Sequence, residues 1–218
     1  MKNIVIKVGL LAFGLGIVTG YLIHIFFPQI PAKSECSIQT EVRMLLADQA
    51  YWTRSYLISI LSKLDDTQET FERLVQNEEK LGATIANWYG KEAGTQFTTF
   101  LKEQMDIAAQ LITKVQSNKY SIMELKKMSS QLHKNAEATA CFLANLNPHW
   151  SKAQILAFLN KQLDLITDEA RARMGKKWNN EILVFDKILD HVAAFADYLA
   201  EGVTKQLGSN RMASCPAT

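Results

Sequence analysis

Between Pro31 and Pro216 the chain contains a single proline, Pro148. A backbone so poor in breakers does not make the frequent tight turns of a many-stranded sheet and is free to run in long helices. The apolar residues agree with this. Val42, Leu45, Leu46, Ala50, Thr53, Leu57, Ile60, Leu61 and Leu64 recur at three- and four-residue spacing, which lines them on one helix face. Ile182, Phe185, Leu189, Val192, Ala196, Leu199 and Val203 do the same near the other end.

Starts and stops cut this region into six helical stretches. The first covers 37–64 and gives way to Asp65-Asp66-Thr67, with Asp66 or Thr67 as the next N-cap. The second ends at Gly90, and the third covers about 91–117. Ser121 with Glu124 forms a capping box for the fourth, which stops at Asn147-Pro148. Ser151 caps the fifth, which fades at Gly175, and the sixth runs from Trp178 to a stop at Gly208. The connections are short, so neighbours must be antiparallel. The expected fold is all-α, an antiparallel up-and-down bundle of about six helices over 37–208, with a frayed tail at 209–218.

Residues 8–27 are predominantly apolar and hold no Asp, Glu, Lys or Arg, with His24 near the distal end. Twenty such residues suffice to cross the hydrocarbon core of a bilayer as a helix. Lys2 and Lys7 precede the run within a short N-terminal segment, 1–7, and Pro28 and Pro31 end it, leaving 28–36 as a linker. An uncleaved single-pass transmembrane helix in contact with membrane lipid is the reading that the length favours. The lysines then place the bundle on the extracytoplasmic side. Cleavage after the run, giving a secreted or periplasmic protein, stays open. Gly16 and Gly20 form a GxxxG that permits helix pairing, so a homo-oligomer or a protein partner is open too. The charge balance of 24 basic and 22 acidic residues gives no stripe or run of the kind that nucleic acid attracts.

There are three cysteines and no CxxC pair. Cys141 reads as a small core residue, while Cys36 and Cys215 are either two free thiols or a disulfide, depending on compartment.

Residues 77–109 align without a gap on 135–167, with nine identities in 33 positions. Asn77 falls on Asn135, Ala86-Asn87 on Ala144-Asn145, Phe100-Leu101 on Phe158-Leu159, and Gln104 on Gln162. The match of polar as well as apolar residues points to an internal duplication of a helical hairpin and to approximate two-fold symmetry.

Four amides stand on or near apolar stripes, and the repeat pairs them: Asn77 with Asn135, and Gln104 with Gln162. Asp48 sits among Leu45, Leu46 and Trp52, and Asp190, His191 and Asp197 lie on the sixth helix. Polar groups buried without partners cost kilocalories each, so these must bond one another, water or a ligand. A bonded layer that fixes helix register is one outcome, and a ligand site inside the bundle is the other. The pair of Glu-x-x-His motifs of di-metal bundles is missing, and amides are poor ligands for zinc or iron. No cofactor is expected. GxSxG, Walker A and HExxH are absent, so no catalytic residue is assigned. Arg54 is either an anion-binding or an ion-paired residue.

Several of these residues occur together in a known order: Tyr51-Trp52-Thr53-Arg54, Arg73-Leu74-Val75-Gln76-Asn77, Tyr89-Gly90, Phe100-Leu101-Lys102-Glu103-Gln104, Asn135, Asn147-Pro148-His149-Trp150 and His191-Val192-Ala193-Ala194-Phe195-Ala196-Asp197. Over roughly 42–207 the chain resembles a family of small, uncharacterised bacterial helical-bundle proteins. Some members go under the name acetylglutamate kinase, although they look nothing like an amino-acid kinase. In that family histidine is usual at the positions of Gln104 and Gln162, so this chain departs from it where imidazole chemistry would reside. The resemblance implies a fold, not an activity. The sequence thus leads to a non-enzymatic, membrane-anchored binding or structural module. The alternative is an exported protein that uses the interior polar residues for a ligand, a metal or a reaction.

Overall fold

A computed structural model describes the backbone of residues 35–213 and the side chains of 37–208. The apolar segment 8–27, Cys36 as a thiol and Cys215 lie outside the described residues. Among those described, no helix is long and apolar enough to cross a membrane.

The described chain is all helix: α1 Glu35–Ser62, α2 Thr67–Tyr89, α3 Lys91–Ser117, α4 Ile122–Leu146, α5 Lys152–Met174 and α6 Trp178–Ala213. Each packs on the next, and α6 packs on α1, so six antiparallel helices close into a ring. The closure was not legible in the helix periodicities, which specify a buried face but not which helix covers it.

Local chemistry explains the corners. Ser121 Oγ accepts the Glu124 N–H while Glu124 Oε2 accepts the Ser121 N–H, a reciprocal capping box. A lone residue, Gly90, joins α2 to α3 at φ +92°, a conformation that a Cβ disfavours. Just beyond it the two helices touch through glycine. A Cβ on Gly94 would stand 2.5 Å from the Gly82 carbonyl oxygen, so neither position tolerates a side chain without moving backbone. The Asn147 Oδ1 accepts the His149 N–H in the α4–α5 turn, and its Nδ2 donates to Tyr89 Oη at 2.9 Å. Burial pushes that phenol up to about 12. Trp150 is buried beside Tyr89, donates Nε1–H to Leu199 O at 3.2 Å, and lies on Gly202, where a Cβ would meet the indole.

Three expectations need correction. Cys141 is exposed and not a core residue. Ile182 and Leu64, placed on apolar stripes, are 53% and 45% exposed. At the start of α6 the buried position is instead Glu181, because two arginines from neighbouring helices hold its carboxylate. The sixth helix also continues past Gly208 to Ala213. Glycine weakens a helix by about 1 kcal/mol but stops it only where the chain turns left-handed.

The core is uneven along the ring. A large cluster including Ile38, Leu81, Phe97, Leu143, Trp150, Ile155 and Val203 fills the end that carries Gly90 and Pro148. Toward the other end it splits into two wall clusters, one around Leu165 and Ile188 and one around Tyr56, Leu74 and Met105. The space between those walls is not filled by side chains.

Candidate ligand cavity

That space is a cavity of about 550 Å³ with mostly apolar walls drawn from all six helices. Leu57, Leu74, Met105, Ile112, Leu163 and Ile166 are among its lining residues. The lining residues nearest Trp150, such as Phe97, Leu143 and Leu199, are buried. The exposed ones, including Tyr120, Arg171 and Met174, belong to the end that carries the α3–α4 and α5–α6 connections. The cavity is therefore closed by the Trp150 end and opens at the opposite one.

Three glutamines, Gln49, Gln104 and Gln162, reach this space from α1, α3 and α5. Each stands four residues beyond a carbonyl that takes a hydrogen bond from the following helix. Asn77 Nδ2 donates to Leu45 O at 3.3 Å, Asn135 Nδ2 to Phe100 O at 3.1 Å, and His191 Nε2 to Phe158 O at 2.9 Å. Asn77, Asn135 and His191 thus hold seams between helices and do not line the cavity. Burial lowers the His191 pKa, against the opposing pull of the Phe158 hydrogen bond.

The least expected resident is Glu78, 1% exposed and part of the cavity wall. Asn77 Nδ2 donates to Gln49 Oε1 at 2.8 Å, and Gln49 Nε2 donates in turn to Glu78 Oε1 at 2.6 Å. Glu78 Oε2 has no partner, and neither has the buried Gln162 Oε1. Burial raises the Glu78 carboxyl to about 7, against the weaker pull of the Gln49 hydrogen bond and of Lys102. Near neutrality this wall therefore offers either a carboxyl proton or a carboxylate to whatever occupies the cavity.

The acids of α1 and α6 read as interior candidates lie elsewhere. Asp48 is half exposed, 3.7 Å from Arg73. Asp190 is exposed. Asp197 accepts bonds from Gln39 and Arg43 on the α1–α6 flank, and the Arg43 bond holds its carboxyl below the usual range. Of the eight candidate residues, Gln104 and Gln162 meet at the cavity, and the others serve seams and surface.

A second buried polar group stands between α1, α5 and α6. Arg54 Nη1 pairs with Glu169, and Arg54 Nη2 lies 2.9 Å from Glu181 Oε1. Arg173 holds Glu181 from the other side at 3.0 Å and donates to Ser62 Oγ. Glu169 and Glu181 are 1% and 2% exposed. Arg54 is thus ion-paired and not a free anion site. Neither glutamate was legible in the sequence, since a charged residue on a helix flank is usually solvated. Among the described residues no three His, Cys, Asp or Glu side chains converge as metal ligands.

No family model, no curated protein and no solved structure matches this chain.

Proposed function

We propose that this chain is a membrane-tethered binding protein without catalytic activity, which holds one elongated, mainly apolar molecule inside its helical ring. The observation that carries the proposal is the apolar cavity of about 550 Å³ with a wholly buried, half-partnered carboxyl in its wall. Its size falls within the range of small-molecule sites, roughly 300–1,000 Å³. Were it sealed and empty, at ~24 cal/mol per Å³ it would cost about 13 kcal/mol, as much as a whole domain's stability. Water satisfies such walls poorly, because it needs two or more polar partners at each position. An apolar guest with a polar head at Glu78, Gln104 and Gln162 satisfies both the walls and the orphaned oxygens.

The tether rests on residues 8–27, whose length and lack of charge suit a membrane-spanning helix. In this reading the bundle stands on the extracytoplasmic side. The three like seams at Leu45, Phe100 and Phe158 support adding a third hairpin to the two read in the sequence. We read the ring as one helical hairpin used three times, with its glutamines facing the guest.

A photoactivatable amphiphile with a diazirine in its acyl chain, supplied to the full chain in membranes, tests this. Crosslinks are expected at cavity residues such as Met105, Ile112 and Ile166, and they are expected to weaken in Ala108→Phe, which puts an aromatic ring into the space. Crosslinks confined to residues 8–27 would support the tether and sink the binding function.

A further inference from the structure

The open end of the ring differs from the rest of the surface. In the α3–α4 connection and its first helical turn, Tyr120, Ile122 and Met123 are 40%, 71% and 80% exposed. In the neighbouring α5–α6 connection, Met174 and Trp178 are 48% and 51% exposed. Tyr120 and Met174 also line the cavity, so these side chains stand around its mouth. The two connections are adjacent, because α4 packs on α5. Contacts among helix ends draw the third connection in as well: Gln116 donates to Ile60 O, and Arg173 to Ser62 Oγ.

The charges around these residues are mainly positive. Lys119, Lys126, Lys127, Lys176 and Lys177 are all exposed there. The acids beside them are engaged: Glu124 with Lys114 and the Ser121 cap, Asp168 with Arg171, and Glu169 and Glu181 with Arg54 and Arg173. The α1–α2 connection adds the exposed Asp65 and Asp66 beside the exposed Lys63.

We propose that this open end docks on the surface of an anionic lipid bilayer. Exposed Trp, Ile and Met insert at the level of the headgroups, and flanking lysines meet the negative surface charge. The lysines set this occupant apart from a second copy of the chain, whose own open end would bring lysines against lysines. Docking here also sets the cavity mouth against the acyl layer, the source from which an apolar guest can enter without crossing water. The docking itself does not depend on what fills the cavity.

Tryptophan emission reads the contact directly, since residues 8–27 contain no tryptophan. The full chain is placed in neutral vesicles and mixed with phosphatidylglycerol-rich acceptor vesicles whose acyl chains are brominated. Quenching is expected with these acceptors, absent with neutral brominated ones, and lost in Trp178→Phe. The exposed pair Ile122→Ser/Met123→Ser, and separately Lys176→Glu/Lys177→Glu, are each expected to weaken acceptor binding about tenfold or more. No quenching by anionic acceptors would overturn the proposal and point to a protein cover for this end. Quenching that persists in Trp178→Phe, or that is unchanged in the Ile122/Met123 variant, would overturn it too.

Discussion

Replacing Glu78 by glutamine is expected to stabilise the bundle by about 3 kcal/mol above about pH 8 and to change little near pH 4. The folded-state carboxyl is raised from 4.5 to about 7 by burial. Below about pH 4 the group is neutral in both states and contributes no difference. Between about 4.5 and 7 the unfolded chain gives up the proton while the folded chain keeps it, so stability falls as pH rises. Above the folded pKa the full cost remains. At ~1.4 kcal/mol per pKa unit, the displacement amounts to about 3 kcal/mol. Glutamine keeps the shape, and its carbonyl still accepts the Gln49 hydrogen bond. Urea unfolding of both proteins across pH checks this. A wild type whose stability is flat between pH 5 and 8, or a Glu78→Gln protein that is less stable at pH 8, would contradict it. A residue that lowers stability in the working pH range fits a trade of stability for binding.

Arg54→Met is expected to act in the opposite direction, with a loss of about 3–5 kcal/mol. The guanidinium bridges Glu169 and Glu181 and lies 4.6 Å over the Phe185 ring. Methionine fills much of the volume, but Glu169 is left buried without its cation. Burial already raises the Glu169 pKa, and Arg54 is the main opposing influence. The loss should therefore shrink on acidification, when Glu169 takes up a proton. The double variant Arg54→Met/Glu169→Leu should be more stable than Arg54→Met alone, because no orphaned charge remains and Arg173 still holds Glu181. Thermal or urea unfolding of the three variants decides it. Simple additivity of the two substitutions would show that the pair is solvated and not a buried unit.

These two glutamate positions also show where sequence stops being informative. The helices were legible because their signals are local: apolar spacing of three and four, the Ser121–Glu124 box, Gly90 and Pro148. Gln104 and Gln162 were recognisable as inward because they interrupt apolar stripes. Glu78 was not, since it stands between Asn77 and Glu79 and reads as part of a solvated flank. Its burial follows from ring closure and from Gln49, 29 positions away. Glu169 and Glu181 are concealed for the same reason, each answered by an arginine on another helix. Asp48, Asp190 and Asp197 err the other way. A position one step from an apolar stripe lies near the helix boundary between core and water, and each of these turns outward. The hollow interior has no sequence signature, because a residue facing a cavity and one facing a packed neighbour obey the same periodicity.

The most direct measurement of all is the electron density inside the ring of the full chain crystallised from its own membrane. Binding of an amphiphile predicts continuous, elongated density between the Met105 and Ile166 walls, with its polar end at Glu78 Oε2. Ordered waters bridging Glu78, Gln104 and Gln162, or a collapsed interior in which Leu57, Met105 and Ile166 touch, would contradict it.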